Sequence, residues 1–137
     1  RSVSRGLGDV YKRQVSEQES LEKGVSFIRD NSDIKILFVT LGNKGSIAYY
    51  KDEKIYCGGI HQEHVVDTTG AGDTFCGAVL SRILELGTDA LTEKDIREML
   101  LFANAAASIV VTRKGALCSM PEPEEIRAAS SLIDKVL

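Results

Sequence analysis

The chain has 137 residues, a formal net charge of −3 at pH 7 and a sequence pI near 5.4. Its length suffices for one modest domain, and its acidic balance argues against a nucleic-acid-binding surface. No apolar run predicts a membrane span or a signal peptide, and three cysteines without a C-x-x-C pair favour buried thiols in a reducing cytoplasm.

Residues 1–14 differ from the rest of the chain, because they lack apolar periodicity and carry four Arg and Lys residues against one acid. Codons for Asp9–Gln14 can be written to resemble the end of a transposase-type sequencing adapter, and residues 4–8 fit the adapter upstream in the same frame. We interpret residues 1–14 as a non-native, adapter-derived segment, with a basic disordered arm as the alternative. Residues 15–137 are then expected to be the C-terminal portion of a larger domain.

The first predicted elements are a helix and a buried strand. Ser16 and Glu19 form a capping-box pattern, and apolar residues follow at helical spacing, which predicts a helix over 17–30. The run 34–39 is short, apolar and rich in branched residues. It predicts a strand buried on both faces, as in a parallel sheet.

A turn and a hairpin are predicted next. The strand runs into a glycine-bearing turn at 40–45, and residues 46–50 and 54–57 predict a hairpin. Residues 64–66 are interpreted as another short strand. The two histidines nearby, His61 and His64, lack the further ligands of a metal site and are interpreted as solvated side chains.

The second half of the chain predicts three helices. The helix after Asp73 has a broad apolar stripe and ends near Gly87. Thr92 and Asp95 predict a capping box for an alanine-rich helix against which a neighbour packs closely. A loop over 112–120 precedes a last helix near 124–136. The apolar stripe of the first of these helices consists of Phe75, Cys76, Val79, Leu80, Ile83 and Leu84.

Alternating helices and strands predict an α/β layered fold. The strands are too few for a complete parallel sheet, so the chain is expected to be part of something larger.

The run DTTGAGD, residues 67–73, is the strongest candidate for chemistry. A helix N-terminus has unpaired N–H groups and partial positive charge, and Gly70, Ala71 and Gly72 let a ligand approach the backbone. This pattern predicts an anion cradle, beside which the Asp73 carboxylate can accept the proton of an attacking hydroxyl in phosphoryl transfer. The alternative is a capped helix in which Asp73 is a favourable first-turn acid. Neither the P-loop motif nor G-x-G-x-x-G is present.

The order of four motifs resembles one family. Asp67–Ala78 resembles the C-terminal signature of the ribokinase-like (PfkB) carbohydrate kinases, whose fold is a three-layer α/β/α sandwich. The stretches 40–45, 102–107 and 112–116 resemble the family's other motifs and occur in the same order. The resemblance covers residues 20–130, and the motifs are most similar to those of bacterial fructokinases and ribokinases.

The resemblance implies a role for each matching residue. Asp73 would be the catalytic base, and the amides of Gly70, Ala71 and Gly72 would form the anion hole for the γ-phosphate. The residues that would bind ATP are Thr40, Gly42, Gly45 and Asn104.

The resemblance also implies metal ions. Mg²⁺ would come with ATP, and a monovalent cation such as K⁺ would organise the anion-hole turn. Its ligands would be Asp67, Thr69, Val110, Arg113, Gly115 and Ser119.

The activity implied is ATP-dependent phosphorylation of a sugar hydroxyl in the cytoplasm, without a nucleic-acid or membrane partner. The oligomeric state of the parent protein stays open, with a homodimer as one of the alternatives. The motifs for sugar binding do not occur in the chain, so the 137 residues alone are expected to be inactive. Two alternatives stay open: a nucleoside or other small-molecule kinase of the same fold, and a nucleotide-binding module without catalysis.

Overall fold

The computed structural model describes residues 17–115 and 120–134. Four α-helices, three strands and one short 3₁₀ helix (Gly42–Lys44) are present in this part of the chain. In chain order the α-helices and strands are α1 (Glu17–Asp30), β1 (Ile36–Thr40), β2 (Gly45–Tyr50), β3 (Glu53–Gly58), α2 (Ala71–Leu86), α3 (Glu93–Val110) and α4 (Pro123–Asp134).

The strands form an antiparallel sheet in the order β1-β2-β3. The predicted hairpin is confirmed: β2 and β3 pair across a two-residue turn in which Lys51 has a φ of 52°. The predicted parallel arrangement is wrong for the described residues, because β1 pairs with β2 in antiparallel register, Ile36 opposite Tyr50. The predicted burial on both faces of β1 is observed for one face only: Leu37 and Val39 are buried, whereas Ile36 and Phe38 on the other face are half-buried.

A helix packs against each face of the sheet, which gives three layers. Alternate residues of β1 and β2 point to one face, where Leu37 and Ile47 pack with Val25 of α1. On the other face Ala48 and Ile55 pack with residues of α2, α3 and α4. The predicted α/β layered class is therefore observed.

α3 is the central helix of the thicker layer. Its capping box is confirmed, since the Asp95 amide donates to the Thr92 hydroxyl at 3.2 Å and the Thr92 amide donates to the Asp95 carboxylate at 2.8 Å. Its alanines are buried against α2 and the sheet, so the close packing expected from the sequence is observed. The alanines with no exposed surface are Ala103, Ala105 and Ala106.

Three other expectations need correction. α2 begins at Ala71, before Asp73, and ends at Gly87 as predicted. Leu80 and Leu84 of its apolar stripe are 59% and 86% exposed, because only one flank of α2 packs against α3.

Residues 64–66 form no strand and run beside the end of α3, where the Val66 amide donates to the Val111 carbonyl. Helix α1 matches its prediction. The predicted cap at Ser16, the loop residues 116–119 and the last predicted helical residues, 135–137, lie outside the described part of the chain.

None of the helices in the described residues combines the length and hydrophobicity needed to cross a membrane.

Candidate functional site

A cavity of about 400 Å³ lies where the β1–β2 turn, the segment after β3, and helices α2 and α3 meet. Its volume is in the range of small-molecule sites. Six of the residues predicted from the sequence line it together, although they come from three separate stretches of the chain. These residues are Thr40, Gly42, Gly45, Ala71, Gly72 and Asn104.

The β1–β2 turn forms one wall of the cavity and depends on glycine. Gly42 has a φ of 63° and Gly45 a φ of 106°, both in the left-handed region that other residues rarely adopt. A Cβ atom at Gly45 would lie 2.1 Å from the carbonyl oxygen of Cys57. A Cβ atom at Gly59 would lie 2.2 Å from the carbonyl oxygen of Asn43. The two backbones therefore touch, and only glycine fits at either position.

The N-terminus of α2 forms the opposite wall. Gly70 precedes the helix in the left-handed conformation, with a φ of 85°, and the Ala71 amide donates to the Thr68 carbonyl at 3.3 Å. The amides of Gly72 and Asp73 belong to the first turn, whose N–H groups have no carbonyl partner within the helix. A Cβ atom at Gly72 would meet nothing within 4 Å, so the space beside its backbone is open.

This helix end brings exposed first-turn amides and an exposed carboxylate together. The helix dipole adds partial positive charge where the open space meets Gly72. Asp73 follows directly, and its side chain is exposed in the same turn. An anion held at the amides would therefore have a carboxylate beside it.

Asn104 lines the cavity from α3, but its amide is bonded inside the protein. Its Nδ2 donates to the carbonyls of Cys57 at 3.3 Å and Gly58 at 3.1 Å, and its Oδ1 accepts from the Ser46 hydroxyl at 2.9 Å. Both amide hydrogens are thus used. The internal pairing leaves Asn104 able to contact a ligand but not to donate a hydrogen bond to it.

The predicted cation ligands are brought together only in part. Hydrogen bonds from the hydroxyl and amide of Thr69, and from the backbone of Gly115, lower the pKa of Asp67. The Val110 carbonyl accepts the Arg113 amide at 3.0 Å. Ser119 lies outside the described residues. In the described residues no cluster of three or more His, Cys, Asp or Glu side chains could hold a metal ion.

The segment after β3 contributes cavity residues that the sequence did not indicate. Gly59, Ile60, His61 and Gln62 line the wall, and the Gln62 amide donates to the Ser108 hydroxyl at 3.3 Å. His61 is exposed, as predicted, but its place at the cavity was missed. The paired glycines before it were the available signal, because they indicate a close approach of two backbones.

Comparisons with known proteins agree with this arrangement. Residues 10–123 match the model of the pfkB family of carbohydrate kinases. Fructokinase-2 of Solanum lycopersicum is 42% identical over 124 residues, which cover 85% of this chain and 37% of that protein.

Two solved structures have the same fold. The Arabidopsis thaliana ribokinase complexed with ribose and ATP superposes with a TM-score of 0.69 at 36% identity, over 82% of this chain and 34% of that one. The Vibrio cholerae O395 fructokinase bound to fructose, ADP and calcium superposes with a TM-score of 0.69 at 30% identity, over 79% of this chain and 34% of that one.

The chain spans about a third of the length of these relatives. The match nevertheless includes residues 67–73, the glycine turn and the alanine-rich helix, and it extends over most of the chain. The chain belongs to the pfkB family of carbohydrate kinases.

Proposed function

We propose that this chain forms the nucleotide-binding and phosphoryl-transfer part of an ATP-dependent sugar kinase of the fructokinase or ribokinase type. The observation that carries the proposal is the single cavity shared by the glycine turn, α3 and the N-terminus of α2. The nucleotide would lie along the turn and α3. Its terminal phosphate would then reach the amides at Gly72, beside which Asp73 is exposed.

The reaction requires few groups from the protein. A sugar hydroxyl oxygen forms a bond to the γ-phosphorus, the bond from that phosphorus to ADP breaks, and the hydroxyl proton goes to the Asp73 carboxylate. The amides at the start of α2 and the helix dipole neutralise charge on the transferred group. Mg²⁺ bound to the ATP phosphates would neutralise more of this charge.

The proposal includes a monovalent cation, such as K⁺, beside Asp67. Hydrogen bonds from Thr69 to the Asp67 carboxylate lower its pKa, and the Val66 and Asp67 amides both donate to the Val111 carbonyl. The segment before the anion cradle is thereby tied to the end of α3. A cation there would fix the same segment further, and dependence of activity on K⁺ would test this.

A nucleotide-binding module without catalysis is the less favourable alternative. A carboxylate beside an anion cradle repels the anion, so a protein that only binds gains nothing from Asp73. We propose that the enzyme is cytoplasmic. Analytical ultracentrifugation of the full-length protein would test whether it assembles as a homodimer.

The experiment uses the full-length protein from the intact gene. ADP release would be measured with ATP and fructose, ribose or adenosine as acceptor. We expect turnover with fructose or ribose and none by the 137-residue chain alone. Turnover only with adenosine would replace the sugar kinase by a nucleoside kinase. ATP binding without turnover of any acceptor would contradict the proposed reaction.

A further inference from the structure

Asn104 connects α3 to strands β2 and β3 beside the cavity through one buried amide. Ser46 donates to Asn104 from β2, and Asn104 donates to the carbonyls of Cys57 and Gly58 at the end of β3. The two carbonyls fix the orientation of the amide, because only its nitrogen can donate. Ser46 is completely buried and does not line the cavity, whereas Asn104 is 7% exposed and does.

The same backbone segment makes the closest contact in the wall. Ser46 lies opposite Cys57 and Gly45 opposite Gly58 in the β2–β3 register. A Cβ atom at Gly45 would be 2.1 Å from the Cys57 carbonyl oxygen, which is one of the oxygens that Asn104 holds. The position of that carbonyl therefore sets how closely the turn approaches β3.

We infer that Asn104 is a positioning residue for the nucleotide site: with Ser46, it holds the end of β3 against the glycine turn and does not donate a hydrogen bond to the nucleotide. The inference rests on the proposed function for the identity of the ligand. It follows from the use of both amide hydrogens inside the protein, and it assigns a binding role to Ser46, which cannot touch the ligand.

Binding of ADP to the 137-residue chain tests the inference, with calorimetry as the readout. We expect Ser46→Ala to weaken ADP binding by about tenfold, the effect of one lost buried hydrogen bond. Asn104→Leu keeps a similar size and adds no charge but removes the hydrogen bonds, and we expect it to weaken binding at least as much. The double variant should bind no more weakly than Asn104→Leu, because both changes break one network.

A matched control separates positioning from loss of stability. Ile96→Val alters a completely buried residue of α3 that does not line the cavity, and it should lower the melting temperature without changing ADP affinity. ADP affinity unchanged by Ser46→Ala but reduced by Asn104→Leu would overturn the inference in favour of direct contact. An equal loss in Ile96→Val would overturn it in favour of general destabilisation.

Hydrogen exchange distinguishes failure of the inference from failure of the proposed function. If neither the 137-residue chain nor the full-length protein binds ADP, the proposed function fails. The positioning role is then tested by amide exchange at Gly45 and Gly59, which should accelerate in Ser46→Ala and not in Ile96→Val. Unchanged exchange at both glycines would overturn it.

Discussion

Gly72 and Gly77 both lie in α2, and a Cβ atom at either position meets no atom within 4 Å. Only Gly72 lines the cavity. Alanine is favoured over glycine in a helix by roughly 0.5–1 kcal/mol, so Gly72→Ala and Gly77→Ala should both raise the free energy of unfolding. The increase should be smaller for Gly72→Ala, because position 72 lies in the first turn of the helix.

Gly72→Ala should weaken ATP binding by about tenfold or more, because its methyl group fills the space beside the amide and a hydrogen bond to the γ-phosphate is lost. Gly77→Ala should leave the affinity unchanged. Calorimetry and urea denaturation of the 137-residue chain measure both effects. Equal ATP affinity in the two variants would contradict an anion site at the start of α2.

Thr74 has the one buried side-chain oxygen without a hydrogen-bond partner among the described residues. An orphaned buried hydroxyl costs about 1–3 kcal/mol, so Thr74→Val, which keeps the shape, should raise the free energy of unfolding by about 1 kcal/mol. Ser46→Ala removes a buried hydroxyl that donates a hydrogen bond to Asn104, and it should lower the free energy of unfolding. Urea denaturation measures both, and a loss of stability in Thr74→Val would show that its hydroxyl has a partner.

At the scale of the elements, the capping box of α3 links stability to pH. Hydrogen bonds from the hydroxyl and amide of Thr92 lower the pKa of Asp95. A carboxyl whose pKa is lower in the folded state stabilises the fold above its unfolded pKa of about 3.9. That contribution is lost as the pH falls through the lower, folded pKa.

Thr92→Ala removes the N-cap hydroxyl and should cost about 1 kcal/mol at neutral pH. The difference from the wild type should shrink between pH 4 and 2, because protonation of Asp95 weakens the same cap in the wild type. Thermal denaturation across this pH range measures the difference. Ser131→Ala, which removes an exposed hydroxyl of α4 that donates only to the Ala128 carbonyl, is the control and should show no such trend. A constant difference would contradict a role for the Asp95 charge.

Elements with local signals were predictable from the sequence. The cap at Thr92, the stop at Gly87 and the hairpin turn each depend on residues within a few positions of one another. The exposure of Leu80 and Leu84 was not predictable, because periodicity identifies an apolar stripe but not which flank meets a neighbour. The pairing of Asn104 with Ser46, 58 positions away, depends on tertiary structure.

At the scale of the whole molecule, the three layers bring the motifs together. The turn after β1, the N-terminus of α2 and the middle of α3 meet at one end of the sheet. The order of motifs indicated this site through family resemblance, whereas its shape depends on the contact of Gly45 with the end of β3. Leu80 and Leu84 leave an apolar surface on the outer flank of α2, as expected for a chain that spans about a third of its relatives' length.

The most direct test of the account separates nucleotide binding from chemistry at Asp73. In the full-length protein, Asp73→Asn should lower kcat with the preferred sugar by about 10²–10⁴-fold, because the proton acceptor is lost. The KM for ATP should change little, since the amides and the glycine turn are unaltered. A kcat within a few-fold of the wild type would contradict the assignment of Asp73 as the catalytic base.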